Sequence, residues 1–151
     1  MQINKYVSLN ACAAFVDGSF IKGRKGFGFG VVMFYMDSEQ NIHKLEYSKK
    51  IDDVRFNDAR NVAGEIFGAL KAIDFAYNHN IKQITIFYDY TGIEKWALGK
   101  WKANSEIAKH YIAKISDYKT KVEIKFYKIK AHSDNKYNDL ADKLAKQALG
   151  R

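Results

Sequence analysis

The chain has 151 residues, of which 47% are hydrophobic and 28% are charged. This length suits one domain with one well-filled core, and the composition is that of a globular rather than a disordered protein. No apolar run approaches the roughly 20 residues that a membrane-spanning helix needs. The N-terminal segment "MQINKYVSLN" also lacks the apolar core of a secretory signal. We therefore expect a single domain over residues 1–151, without a membrane segment.

The charge and the cysteine content indicate which kind of partner and compartment the protein has. The 25 Lys and Arg residues outnumber the 17 Asp and Glu residues, giving a net charge of +8 and a pI near 9.4. This balance favours a nucleic-acid partner, because basic side chains neutralise phosphates. The single cysteine, Cys12, excludes an internal disulfide framework and a cysteine-based zinc cluster. A lone thiol suits a reducing compartment, so we expect a cytoplasmic protein.

Three strands are predicted in the first third of the chain. The short apolar run "ACAAFVD" ends in Asp17, and the turn-forming residues Gly18 and Ser19 follow it. Two longer apolar or alternating runs, joined by the polar segment "DSEQ", have the pattern of an antiparallel meander. The three predicted strands cover residues 11–17, 26–36 and 41–51.

Helices and strands alternate in the rest of the chain. Apolar side chains at three- and four-residue steps predict a helix from about Arg60 to Asn78. The alternating segment "QITIFYDY" predicts a fourth strand and contains a second isolated acid, Asp89. Two helical patterns, a fifth strand and a closing helix are then predicted within residues 91–118, 121–131 and 137–149.

The order of these elements predicts an α/β fold. Strands 1 to 3 can be joined by hairpins, whereas strands 4 and 5 follow helical crossovers and should lie parallel to strand 1. We therefore expect a mixed five-stranded sheet, with strands 1–3 antiparallel and helices on both faces. Ligands of such sheets bind at the carboxyl ends of parallel strands. Asp17 and Asp89 are expected at those ends.

Four acidic residues lack an obvious structural role. Asp17 and Asp89 follow apolar strands, although Asp is also common there as a turn residue that caps backbone amides. Glu65 lies beside the apolar stripe of the long helix, and burial of an unpaired carboxylate is costly. Asp142 occupies a similar position on the last helix, where it could instead form an exposed (i, i+4) pair with Lys146.

If these four carboxylates converge, a positive charge must lie between them, because neighbouring carboxylates otherwise repel each other and take up protons. No Arg or Lys occupies the strand-end or inner-helix positions, so a hard divalent cation is the economical partner. Mg²⁺ is the usual ion of this kind, with Mn²⁺ as a substitute. Four carboxylates and a basic exterior indicate two ions roughly 4 Å apart, acting on a phosphodiester.

Four segments resemble the active-site blocks of ribonuclease H type 1 and occur in that family's order. They are "FVDGSF", "RNVAGEIFGALKAI", "ITIFYDY" and "IKAHSDNKYNDLADKLAKQAL", and they span residues 15–149. The combination includes Asn four residues before a helical Glu, and a His, His132, ten residues before the helical Asp142. The segments "NVAGE" and "KYNDLADKLA" are similar to a bacterial branch whose members often carry an N-terminal hybrid-binding module. We expect that module to be absent here.

The resemblance implies an endonuclease that hydrolyses the RNA strand of RNA–DNA hybrids and leaves 5′-phosphate and 3′-hydroxyl ends. By position, the ligands of two Mg²⁺ ions would be Asp17, Glu65, Asp89 and Asp142. Glu65 would also accept a hydrogen bond from a ribose 2′-OH. His132 matches the family's mobile-loop histidine, which is thought to shuttle a proton or to help the product leave.

Substrate contacts are expected from the resemblance and from the aromatic and basic segment "EKWALGKWKAN". They are Gly18, Ser19, Arg60, Asn61, Thr91, Trp96 and Lys102. Ser19 can equally be a turn residue and Trp96 a core residue, while Asn61 can satisfy free amides at the helix start or contact the minor groove. Arg60 and Val62 replace the Thr and Asn with which the family commonly grips a DNA phosphate. Thr91 stands where Gln is common.

Three alternatives stay open from the residues alone. They are a non-catalytic module that binds hybrids, another nuclease of the same fold that cuts DNA, and a basic α/β domain with an unrelated partner. In the favoured interpretation the partner is an RNA–DNA hybrid, the protein is a monomer, and no protein partner is implied. Lysines on the fifth strand are expected to form a solvated strand face: Lys121, Lys125 and Lys128.

Overall fold

The computed structural model describes residues 2–130 and 135–151 of the chain. Its elements, in chain order, are β1 (Ala11–Ser19), β2 (Phe27–Met36), β3 (Ile42–Ile51), α1 (Arg60–Asn78), β4 (Gln83–Tyr88), α2 (Gly92–Ala97), α3 (Glu106–Tyr118), β5 (Glu123–Lys128) and α4 (Lys136–Gln147). Short 3₁₀ segments at Ile3–Tyr6 and Val54–Ala59 precede β1 and α1. None of the helices in the described ranges has the length and apolar character that a bilayer crossing requires.

The strands form one sheet in the order β3-β2-β1-β4-β5. β1 pairs antiparallel with β2, and β2 with β3, whereas β4 is parallel to both β1 and β5. The predicted α/β fold and strand directions are therefore confirmed. β1 lies at the centre because five successive apolar residues allow burial on both of its faces.

Helices cover both faces of the sheet, as predicted. The larger core lies under α1, α2 and α3, and β1 contributes Cys12, Ala14 and Val16 to it. The opposite face is covered by α4 and takes the intervening residues Ala13 and Phe15. Because side chains alternate along a strand, Asp17 belongs to the face that α4 covers.

The end of β1 differs from the prediction. Gly18 and Ser19 continue the antiparallel pairing with β2, so the turn expected at these residues is wrong. Pairing with β4 ends earlier, at Phe15, which leaves Asp17 beyond the parallel ladder. The other predicted elements agree in kind, and their ends shift by a few residues.

Glycines allow two helices to approach the sheet backbone closely. A Cβ atom at Gly64 of α1 would overlap the carbonyl oxygen of Gly28 in β2. On the other face, a Cβ atom at Gly30 would overlap a backbone carbonyl oxygen of α4. Gly30 is the sheet partner of Asp17, and Gly64 directly precedes Glu65. Both helices are thus drawn to the part of the sheet that carries the predicted acids.

Replacing Gly64 with Ala should lower the free energy of unfolding by about 1–3 kcal/mol, because the added methyl group overpacks the contact between α1 and the sheet. Gly68→Ala is the matched control, one turn later in the same helix. There the new Cβ would meet the Val16 Cβ at 3.4 Å, an ordinary contact, and alanine favours the helix by up to about 1 kcal/mol. Urea unfolding followed by circular dichroism measures both changes. Equal changes for the two variants would contradict the close contact at Gly64.

Candidate active site

Three of the four predicted acids share one pocket. Asp17 reaches it from β1 and Glu65 from α1, and Asp89 directly follows β4. The pocket has a volume of about 240 Å³ and is lined by Asp17, Gly18, Val62, Glu65, Asp89, Tyr90 and Thr91. It lies at the carboxyl ends of parallel strands, where ligands of such sheets bind.

Backbone amides hold the carboxyl group of Glu65, a buried residue that is only 4% exposed. The Asp89 N–H donates to Oε1 at 2.7 Å, and the Tyr90 N–H lies 3.2 Å from Oε2 and 3.3 Å from Oε1. These contacts therefore tie α1 to the end of β4 within the pocket.

Asp142 approaches from α4 on the opposite face of the sheet. Its carboxyl group neighbours that of Asp17 and acts on its protonation, and Asp17 Oδ1 accepts the Gly18 N–H at 2.9 Å. Asp142 Oδ2 lies 3.0 Å from Lys146 Nζ, with both side chains partly exposed. The (i, i+4) ion pair predicted for Asp142 is therefore present, and the same residue also neighbours Asp17.

This environment raises the pKa values of two acids. Burial, together with the proximity of Asp142 and Asp89, raises the pKa of Asp17 from 3.8 to about 7 against the opposing hydrogen bond from Gly18. Burial also raises the pKa of Glu65 from 4.5 to about 8; Asp17 and Asp89 add to this shift, and the two backbone amides oppose it. Near neutral pH the cluster therefore retains protons that a cation could replace.

The carboxyl groups at the pocket are chemically suited to bind a hard divalent cation. Carboxylate oxygens are the ligands that Mg²⁺ prefers in proteins. In their present positions, no three His, Cys, Asp or Glu side chains of the described residues are grouped closely enough to hold a metal ion. Glu65 is held by two amides and Asp142 by Lys146. A bound ion would therefore have to draw these side chains inward.

Three predicted substrate contacts lie at or beside the pocket. Gly18 and Thr91 line it, and the Thr91 hydroxyl accepts a hydrogen bond from Lys128 Nζ at 2.8 Å. Ser19 is buried, and its hydroxyl accepts a hydrogen bond from the Arg151 guanidinium at 3.0 Å. The Ser19 side chain is thus already bound within the protein.

Trp96 and Lys102 lie in an adjoining groove. The Trp96 ring centroid is 5.7 Å from that of Tyr90 and 5.8 Å from that of Trp101, and Trp96 also packs against the larger core. A cavity of about 440 Å³ borders Tyr90 and Trp96, and a further cavity of about 490 Å³ runs from Trp96 to Lys102. Trp101 is 40% exposed. An aromatic and basic surface therefore continues from the acidic pocket.

Three predicted residues have side chains outside the described part of the structure. Arg60 and Asn61 are the first two residues of α1, and only their backbone is described. The residue at the capping position is Ala59, so Asn61 is not the N-cap of this helix. His132 lies outside the described residues altogether.

Two residues at the site escape prediction from sequence pattern. Tyr90 supplies an amide to Glu65, and its ring begins the aromatic groove. Lys128 is not part of a uniform solvated face, because its ammonium group reaches Thr91 at the pocket. The sequence contains one indication of this difference: Lys128 lies three residues after Lys125, and an odd spacing places two residues of a strand on opposite faces of the sheet.

Comparison with known proteins identifies the family of the chain. The RNase H family model matches residues 10–150. A ribonuclease H of Clostridium botulinum (strain Hall) is 27% identical over 132 residues, covering 80% of this chain and 81% of the relative. RNase H1 from the halophilic archaeon Halobacterium salinarum NRC-1 has a TM-score of 0.71 at 19% identity, covering 92% of this chain and 97% of that chain. LC11-RNase H1 in complex with an RNA/DNA hybrid has a TM-score of 0.66 at 19% identity, covering 91% and 99% of the two chains.

The two solved structures share the fold with this chain. The family model extends over nearly the whole sequence, and the four acids lie within the matched residues. The chain therefore belongs to the RNase H family and is a ribonuclease H.

Proposed function

We propose that the protein hydrolyses the RNA strand of RNA–DNA hybrids as an endonuclease and leaves 5′-phosphate and 3′-hydroxyl ends. The observation that carries this proposal is the convergence of Asp17, Glu65 and Asp89 in one pocket, with Asp142 beside Asp17. Carboxylate clusters that bind divalent cations are suited to phosphodiester cleavage. Membership of the RNase H family supports the hybrid as the substrate.

The residues that would hold two Mg²⁺ ions, or Mn²⁺ in their place, are Asp17, Glu65, Asp89 and Asp142. Enzymes of the RNase H family use divalent metal ions. When bound, such ions activate the attacking water and stabilise charge on the leaving 3′ oxygen. The backbone already holds two of these side chains at the pocket, because two amides bind Glu65 and the Gly18 N–H binds Asp17. Glu65 would have to shift from this position to reach an ion.

The groove beside the pocket suits a nucleic-acid strand. Tyr90, Trp96 and Trp101 offer aromatic surface to sugars or bases. Lys100 and Lys102 border the same groove and can meet phosphates. The net charge of +8 adds attraction at longer range. The similar LC11-RNase H1 binds an RNA/DNA hybrid in its solved complex.

Selection of RNA over DNA requires a contact with the 2′-OH group. Glu65 is suited to that contact because its carboxylate borders the pocket and an ionised carboxylate has about four acceptor sites. His132 would transfer a proton or help the product leave, and Asn61 would contact the minor groove. Both roles are proposed because His132 and Asn61 occupy positions that match the family's motif.

Asp17→Asn should abolish Mg²⁺-dependent cleavage, with a rate at least about 1,000-fold lower, because losing a residue that would hold the metal should raise the activation free energy by about 4 kcal/mol or more. Binding of the hybrid should survive, since the groove is unchanged. An end-labelled hybrid with four consecutive ribonucleotides, resolved on a gel, measures the rate and the product ends. Glu39→Gln, an exposed turn residue, is the control and should cleave normally.

A panel of hybrid, duplex DNA, duplex RNA and four-way junction separates the alternatives. Cleavage of the DNA substrates alone would contradict the proposal and favour a DNA nuclease. Tight binding of the hybrid without cleavage by the wild-type chain would favour a non-catalytic binding module.

The Mg²⁺ concentration that the enzyme needs for activity should depend on pH. Protons occupy Asp17 below about pH 7 and Glu65 below about pH 8, and Mg²⁺ must displace them. The Mg²⁺ concentration for half-maximal activity should therefore fall as pH rises from about 6 to about 8.5, by up to roughly tenfold per pH unit for each displaced proton. Rates measured at saturating Mg²⁺ should show a flatter profile. A half-saturating concentration that is constant across this range would contradict the raised pKa values.

Without metal, Asp17 should destabilise the folded protein at neutral pH. Its pKa of about 7 in the folded state lies above the ordinary 3.8, so the folded state binds more protons and loses stability as pH rises through this window. In EDTA at about pH 8, Asp17→Asn should be more stable than wild type by roughly 1–3 kcal/mol, and near pH 4 the two should be about equal. Urea unfolding at both pH values measures the difference. Glu39→Gln should show no such pH-dependent gain in stability. If Asp17→Asn also shows no gain at about pH 8, the claim that Asp17 is an uncompensated buried charge is contradicted.

A further inference from the structure

The Lys128 ammonium group lies at the rim of the acidic pocket. Its Nζ donates to Thr91 Oγ1 at 2.8 Å, and Thr91 is part of the pocket lining. Lys128 ends β5 and pairs with Tyr88, which ends β4. The Ile129 N–H extends this pairing by donating to the Tyr88 carbonyl at 2.6 Å. The backbone of Lys128 is therefore fixed beside the strand end that leads into Asp89.

Two donors of this ammonium group are available to a ligand. A lysine has three N–H donors, and Thr91 accepts one of them. Lys128 is exposed, and it forms no ion pair with the acids of residues 2–130 and 135–151. Lys125, on the same strand, lies 3.9 Å from Glu123, and the two residues line a different cavity that does not include the acids of the pocket.

The position of Lys128 suits a phosphate group in particular. An approaching nucleic acid meets repulsion from the carboxylates of the pocket, and a cation at the rim offsets that repulsion. Lys146 is already paired with Asp142 at 3.0 Å, whereas Lys128 contacts a neutral hydroxyl. A compact ammonium group on a flexible stem binds phosphate as a point charge.

We propose that Lys128 binds a backbone phosphate of the hybrid next to the scissile bond, and that Thr91 orients its ammonium group. The inference rests on the proposed cleavage of hybrids and assigns a further substrate-positioning residue to that reaction. Lys128 contributes to the capture and register of the substrate, and the chemical step belongs to the acids.

The test compares Lys128→Met with Lys125→Met in steady-state cleavage of a hybrid at several salt concentrations. Both changes remove one charge from β5 and keep an apolar stem, but only Lys128 contacts the pocket lining. Lys128→Met should lower kcat/KM by about threefold to tenfold, mainly through KM, and reduce the slope of log(kcat/KM) against log[salt] by about one. Lys125→Met should leave the slope unchanged.

Two further variants separate a substrate contact from a structural role. Lys128→Arg should restore most of the salt slope because it restores the charge. Thr91→Val should lower kcat/KM in the wild-type background and have little added effect in Lys128→Met, since the two residues act together. An unchanged slope in Lys128→Met, or equal losses in both Met variants, would overturn the inference. Failure of the wild-type chain to cleave any hybrid would instead overturn the proposed function itself.

Discussion

The Glu65 carboxylate, held by the N–H groups of Asp89 and Tyr90, is the interaction on which the rest of the site depends. Burial disfavours the charged form of this carboxyl group and raises its pKa to about 8, and the two amides act against that shift. The two amides lie directly after β4, so the same hydrogen bonds fix the position of Asp89. α1 and the end of β4 thus meet at a hydrogen-bonded contact beside an apolar core, and this contact determines where the pocket forms.

Close backbone packing brings the remaining acids to the same place. Gly64 lets α1 approach β2 on one face, and Gly30 lets α4 approach on the other. Because Gly30 pairs with Asp17, the helix that covers Gly30 also carries Asp142 to Asp17. A side chain at either glycine would push a helix outward and separate the acids that meet at the pocket. The glycines therefore act on the chemistry of the site through packing alone.

The fold was largely predictable because hydrophobic periodicity and the order of hairpins and helical crossovers determine it. Glu65 was also recognisable, as a charge beside an apolar stripe. The extension of β1 through Ser19 was not, because Gly and Ser are typical of turns and only the pairing with β2 overrides that preference. The contact of Lys128 with Thr91 joins residues 37 positions apart on neighbouring elements. Such a contact depends on side-chain conformation, which no local pattern encodes.

The acids Asp17 and Glu65 form the floor of the pocket, and the lysines Lys128 and Lys146 lie at its rim. This separation of charge affects how a cation and a phosphate can bind. A lysine fixed among the acids would lower the pKa values of Asp17 and Glu65. It would also neutralise their charge, so that a divalent cation would bind more weakly. The two pKa values of about 7 and about 8 show that the floor lacks such compensation, while Lys146 and Lys128 lie at its edge. Because Mg²⁺ accepts phosphate oxygens as ligands, a cation bound at the floor should favour phosphate at the rim. By linkage, phosphate must favour the cation to the same extent. If the proposed cation binds among these acids, its binding and that of the substrate should therefore be coupled.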